Sequence, residues 1–405
     1  MIYLDNNATT AIASEVFEAM KPYFTEKFWN PSSMYDPAIA LARDIAAARK
    51  SIAAHLGVKT ATPILFTSCA TESNNTAILG AVRANPDRKH IITSKVEHPA
   101  VLEVCRDLER RGYSISWIDV DTDGNLDLKQ YVHALRPKET LLISIMHANN
   151  ETGVIFPVER LARIAKETDP DILFHADATQ SVSKLPIDLS GSFSNVDLLS
   201  FSGHKFHAPK GVGALYVRPG TPIRPYLIGG HQENGRRGGT ENVPYIIGMA
   251  CALDLAAETH EEDFARMLRL RDRLQKGIEE AVPFVEINGK NAKRMPNTLN
   301  VAAHSVEGES LLMLMNQEGI AVSSGSACTS GSLEPSHVLV AMKVPSSALQ
   351  GSIRFSLSRY TTEEEIDKAI AAFKRSVENV RSASPYWNKT EHKPDFSKYF
   401  KNESI

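Results

Sequence analysis

Seven short apolar runs, at 63–67, 90–93, 114–118, 141–146, 172–175, 196–201 and 213–217, punctuate the first half of the chain. Segments of helical spacing separate several of them. One is 37–56, with Ile39, Ala42, Ile45, Ala48, Ile52 and Leu56 as its apolar positions and Gly57 as a stop. Another is 158–167. This alternation predicts an α/β fold, a mostly parallel sheet with helices on both faces. The character changes after about residue 255. A charged amphipathic helix is predicted over 257–280, with Phe264, Met267, Leu268, Leu274 and Ile278 as its stripe. A second helix follows over 362–380, with Ile366, Ile370, Phe373, Val377 and Val380 inward. Thr361 or Thr362 can cap it, and Glu363, Glu364 and Glu365 suit the positive end of its dipole. The tail from Ser384 is aromatic and charged without a period. It reads as a surface-draped arm, a candidate for partner contact. At 405 residues the chain is too long for one ordinary core, so two domains are expected.

Charge and composition exclude some roles. A net charge of -3 gives no general pull toward nucleic acid or an anionic membrane. No apolar stretch approaches the ~20 residues of a membrane span. The first residues lack the basic start and apolar run of a signal peptide. Four cysteines, Cys69, Cys105, Cys251 and Cys328, form no CxxC pair, which points to a reducing cytoplasm.

Polar clusters come directly after five of the predicted strands. They are Cys69-Ala70-Thr71-Glu72-Ser73, Glu97-His98, Asn149-Asn150-Glu151, Asp177 with Gln180, and Ser202-Gly203-His204-Lys205. Ligands of open parallel sheets bind at the carboxyl ends of the strands. Singly, each cluster has a plain explanation. Ala70-Thr71 can be a helix start, His98 a structural histidine, Asn150 a turn residue and Lys205 a surface lysine. Asp177 is harder to dismiss, because a carboxylate ending an apolar strand needs a cationic or donor partner. Together they supply what pyridoxal phosphate requires. Lys205 is an amine for its aldehyde, Asp177 a carboxylate for its ring nitrogen, and His98 a flat group for its ring. The helix start at Thr71, with Ser202 and His204, offers donors to its phosphate. A metal site on His204 and His207 competes, but Lys205 lies between them and no Cys or carboxylate joins them. Gly211-Val212-Gly213 is not a full dinucleotide fingerprint. The site prediction therefore contains no metal.

Cys328 lies in Ser-Ser-Gly-Ser-Ala-Cys-Thr-Ser-Gly-Ser, a small-residue stretch that suits a thiolate entering a pocket and leaving it loaded. A linker with a chance cysteine is the plain alternative. Arg354, in the alternating segment 351–355, can grip a substrate carboxylate with its fork, or serve as a surface ion-pair partner.

These segments resemble the cysteine desulfurases, fold-type I pyridoxal-phosphate enzymes of the class V aminotransferase group. The resemblance runs nearly end to end. It rests on Tyr3-Leu4-Asp5-Asn6-Asn7-Ala8-Thr9-Thr10, Thr71-Glu72-Ser73-Asn74, Glu97-His98-Pro99-Ala100-Val101, Asn149-Asn150-Glu151-Thr152-Gly153 and the Lys205 and Cys328 segments. Gly229-Gly230-His231-Gln232-Glu233 and Ser384-Pro385-Tyr386-Trp387 resemble the nitrogen-fixation type. The 324–337 loop resembles the branch that also holds the general iron-sulfur assembly enzymes. Trp29 before Asn30-Pro31-Ser32-Ser33, and Tyr35, depart from the usual Gly and His.

The resemblance implies a large cofactor-binding domain at 15–256, with 1–14 and 257–405 forming a smaller α+β domain. It implies catalytic roles for Lys205, His98 and Cys328. Ala70, Thr71, Ser202 and His204 would bind the phosphate, Asp177 the ring nitrogen, and Gln180 would donate toward the ring hydroxyl. Asn150 and Arg354 would hold the substrate, L-cysteine. Thr240 would reach the phosphate of a second subunit, which implies a homodimer. An iron-sulfur scaffold protein would accept the sulfur, for general cluster assembly or nitrogenase maturation. Selenocysteine lyase, cysteine sulfinate desulfinase and plain aminotransferase are the rivals; none needs Cys328 in the same way. A non-catalytic sulfur relay would need neither Lys205 nor Asp177.

Overall fold

The computed structural model describes residues 1–324 and 335–399. Cys328 and most of its loop lie outside the described residues. The N-terminal strand β1 (Ile2–Tyr3) is followed by the seven strands of the main sheet. These are β2 (Ile64–Thr67), β3 (His90–Ser94), β4 (Ser114–Ile118), β5 (Thr140–Met146), β6 (Leu173–Asp177), β7 (Leu198–Ser202) and β8 (Gly213–Val217). Their order across the sheet is β2-β8-β7-β6-β5-β3-β4. Only β8 runs against the others.

Each central strand is apolar on consecutive positions because it is covered on both faces. Phe66, Ile92, Ile143, Phe174 and Leu199 enter one core. Their neighbours Leu65, Ile91, Leu142, Leu173 and Leu198 enter another, on the opposite face. A strand's side chains alternate between faces, so one run feeds both. The helix Asp36–His55 packs by Ala38, Leu41, Ile45, Ala48 and Ile52. Ile39 and Ala42, expected inward, are exposed, because the buried stripe includes Leu41 instead.

Among the described residues no helix is long and apolar enough to cross a membrane. The segment expected at 257–280 is the helix His260–Ala281. Thr259 separates it from a preceding helix, Val243–Glu258, that the sequence reading did not assign. Its buried side chains include Leu270 and Arg271, whereas Leu268 is only partly buried.

A separate core forms around the antiparallel sheet of β9 (Val285–Ile287), β10 (Thr298–Ala303) and β12 (Ser352–Ser356), in the order β12-β10-β9. The helix Glu363–Ala383 closes it, with Phe373 edge-on to Phe355 at 5.7 Å between ring centroids. Thr362 forms the N-terminal capping box with Glu365. The N-terminus joins this unit: β1 pairs with β11 (Ile320–Ala321), and Leu4 enters its core. The tail folds back as a two-stranded hairpin, β13 (Trp387–Asn388) and β14 (Lys393–Pro394). Tyr386 stacks on Tyr399, and the Arg381 guanidinium lies over Trp387. The aromatic tail therefore packs against its own chain.

Candidate active site

Strands β2, β3, β5, β6 and β7 point the same way, so the five polar clusters meet at one edge of the sheet. A cavity of 300 Å³ opens there. Ala70, Thr71, His98, Asn150, Asp177, Gln180, His204, Lys205 and Arg354 all contribute to its wall. Ser202 and Thr240 do not. The Ser202 hydroxyl is buried and donates to the Val212 carbonyl at 3.3 Å. Thr240 is exposed.

Gly213 brings the helix Ala70–Ala84 to this edge. A Cβ on it would lie 2.7 Å from the Cys69 carbonyl carbon, so β8 can pass the helix start only with glycine there. No side chain caps that helix. Its first N–H groups and its dipole are left for an anion.

Asp177, the last residue of β6, is buried at the cavity wall. Its carboxylate accepts from Asn74 Nδ2 at 2.7 Å and from the Thr179 N–H at 3.0 Å. Lys205 follows β7 on a single 3-10 turn. Its Nζ donates to the Asn7 and Ala8 carbonyls at 2.7 and 2.8 Å. The sequence reading missed these carbonyls and Asn74. Asn7, Ala8 and Asn74 lay in quoted motifs but carried no signal of a specific role. Gln180 donates its Nε2 to Asn7 at 3.0 Å, and its oxygen remains without a partner. The amide orientation is assigned from this network.

His98 accepts the Ala100 N–H on Nδ1 at 3.1 Å, so the ring proton sits on Nε2. Burial holds its pKa below the ordinary value, against the opposing charge of Asp177. Burial, with Lys205 nearby, lowers His204 to about 4. Its Nδ1 is 3.1 Å from the Thr9 hydroxyl, and His207 Nδ1 is 2.9 Å from the Ala11 carbonyl oxygen. The two histidines thus make separate contacts with the N-terminal arm.

Arg354 arrives from β12 and is almost fully buried. Its Nη1 donates to the Asn150 carbonyl at 2.9 Å and its Nη2 to Asp5 at 2.6 Å. Its backbone pairs with Ser323, just before the segment that carries Cys328.

Beneath the cavity, Glu97 is completely buried. It accepts from Ser94 at 2.6 Å and from the Met146 N–H at 2.9 Å. Burial nonetheless pushes its pKa up to about 8. The native state then keeps a proton that the unfolded chain loses near 4.5, so stability falls as pH rises between about 4.5 and about 8. Glu97→Gln cannot ionise. Its melting temperature is expected to gain on the wild type's as pH rises through that window, by a few degrees. A constant gap across the window would contradict this assignment.

The class-V aminotransferase family profile matches residues 2–369. The cysteine desulfurase NifS of Azotobacter vinelandii is 51% identical over 387 residues, covering 96% of this chain and 95% of that protein. The solved structure of a NifS-like protein superposes with a TM-score of 0.87 at 39% identity, covering 93% of this chain and 99% of the other. The structure of SspA in complex with cysteine gives 0.77 at 35% identity, covering 89% and 100%.

Proposed function

Because the chain belongs to the class-V aminotransferase family, we propose that it is a pyridoxal-phosphate-dependent cysteine desulfurase that loads sulfur from L-cysteine onto Cys328. The observation that carries this reading is the convergence of Lys205, Asp177 and an uncapped helix start on one cavity.

The residues fit the cofactor. Asn74 Oδ1, Thr179 Oγ1, Gln180 Oε1 and Arg354 Nε are buried without partners, and all four belong to residues that line the cavity. A buried orphan costs about 1–3 kcal/mol, so four around one cavity mark a place for a polar ligand. The N–H groups at Ala70 and Thr71 suit the phosphate, Asp177 the ring nitrogen and the Gln180 amide the ring hydroxyl. When bound, pyridoxal phosphate supplies an electron sink for the pair left as the substrate's α-proton departs.

The chain's own residues perform the remaining tasks. Lys205 would hold the cofactor covalently, and its Nζ would take the substrate's α-proton. Asp177, fixed by Asn74 and Thr179, would keep a proton on the ring nitrogen. His98 would lie against the ring, with a transferable proton on Nε2. Arg354 and Asn150 hold the substrate carboxylate. The Cys328 thiolate attacks the substrate sulfur, and the carbon–sulfur bond breaks. The electron pair of that bond and a proton go to the β-carbon, and Lys205 returns the α-proton, giving L-alanine and a Cys328 persulfide.

The finer proposals concern partners. Thr240 sits on an exposed loop whose Ile228 is 83% exposed, a surface suited to a second subunit and a shared phosphate site. An iron-sulfur scaffold protein is the proposed acceptor, for general or nitrogenase-directed assembly, in the cytoplasm. The test of the activity is direct. Purified protein given L-cysteine and a reductant, with no keto acid, is expected to release alanine and sulfide in equal amounts. Alanine formed only when a keto acid is supplied would identify an aminotransferase instead.

A further inference from the structure

Arg273, Arg375 and Arg237 each pair with a carboxylate through the edge formed by Nε and Nη2. Arg273 meets Asp367 through Nε at 2.8 Å and Nη2 at 2.7 Å. Arg375 meets Glu318 through Nε at 3.0 Å and Nη2 at 2.8 Å. Arg237 meets Glu72 through Nε at 2.8 Å and Nη2 at 3.2 Å. Arg49 meets Glu233 through Nη1 and Nη2 instead, at 2.6 and 2.7 Å. Both are two-pronged pairs, and Arg354 makes neither with Asp5. Asp5 takes Nη2 alone at 2.6 Å, while Nε is buried with no partner.

The arrangement is held from the backbone. Asp5 bridges to Ser356, two residues from Arg354 on β12. On either side, the Asn6 N–H donates to the Ser356 carbonyl and the Ser356 N–H donates to the Leu4 carbonyl. The Tyr3 hydroxyl donates to the Asp5 carbonyl at 3.1 Å. Asp5 is not part of the cavity wall, whereas Arg354 and Asn150 are. The Asp5 carboxylate thus grips the guanidinium without itself lining the cavity. It also compensates a cation whose side chain is only 3% exposed, which would otherwise be costly to bury alone.

We propose that Asp5 is a positioning residue for Arg354, holding the guanidinium by Nη2 so that its Nε N–H stays available to the carboxylate of an amino acid in the cavity. The inference rests on the reading of Arg354 as the carboxylate grip. A fork fixed before binding need not be ordered during it, so the gain shows in affinity and not in the chemical step.

Two ligands that differ only in the charge at issue test this on the cofactor-loaded enzyme. L-alanine carries the carboxylate and L-alaninamide does not; the binding of either is read from the cofactor's absorbance. Asp5→Ala is expected to weaken L-alanine about tenfold and leave L-alaninamide unchanged. KM for L-cysteine should rise by a similar factor, with kcat within about twofold. Asp5→Asn keeps an acceptor in the same place and should recover most of the loss. Equal weakening of both ligands, or an unchanged L-alanine affinity in Asp5→Ala, would overturn the proposal. Arg354→Lys separates the two layers. If it too leaves L-alanine binding intact, the carboxylate reading of Arg354 fails with it.

Discussion

Lys205→Ala is expected to lower alanine formation from L-cysteine by about a thousandfold or more. Lys205 stands just past the carboxyl end of β7, in the wall of a cavity that also holds Asp177 and His98. Its Nζ is directed by the carbonyls of Asn7 and Ala8, so the amine occupies a defined position. On the proposed reading, removing it takes away both the covalent anchor and the group that collects the α-proton. Lys205→Arg retains a positive charge that can reach the same carbonyls, yet its guanidinium neither condenses with an aldehyde nor accepts a proton near neutral pH. It should fail nearly as completely, which separates chemistry from charge. Steady-state alanine release measures both variants. Activity within tenfold of the wild type in either would contradict the role given to Lys205.

Cys328→Ala should leave the cofactor-binding site intact, with unchanged cofactor absorbance, while removing all sulfur transfer to acceptors. Alanine release in the presence of an external thiol should fall about a hundredfold or more, because a tethered nucleophile is replaced by one arriving from bulk solvent. Ser323 pairs with Arg354 in the cavity wall, and Ser336 Oγ donates to Glu151 at 2.5 Å, one residue from Asn150. Both flanks of the Cys328 segment are thus fastened beside the cavity. Sulfide release at the wild-type rate by this variant would show that the thiol attacking the substrate is not Cys328.

Much of the fold was legible because buried strands leave a simple trace. Ile91 and Ile92, or Leu198 and Leu199, feed opposite faces of one sheet, so the run is apolar without alternation. Asp177 stood out because a carboxylate ending such a run must have a partner. The helix Val243–Glu258 was missed because it is apolar on several sides and shows no polar stripe to set a period. Ile39 was misplaced because apolar residues occur on both edges of the true stripe through Leu41 and Ile45. In the site, Asn7 and Ala8 act through backbone carbonyls, and any residue carries one of those. Asn74 looked like an ordinary helix residue until the fold set it against Asp177. The pairing of Asp5 with Arg354 joins positions 349 residues apart, a contact no local pattern reports.

If sulfur leaves L-cysteine on Cys328, the mass of the Cys328 peptide records it. Purified, cofactor-loaded protein is mixed with L-cysteine without reductant, quenched, digested and weighed while alanine is counted. The expected result is one added sulfur atom on Cys328 for each alanine released in the first turnover. Alanine released with Cys328 unmodified, or with the sulfur on Cys69, would contradict the account.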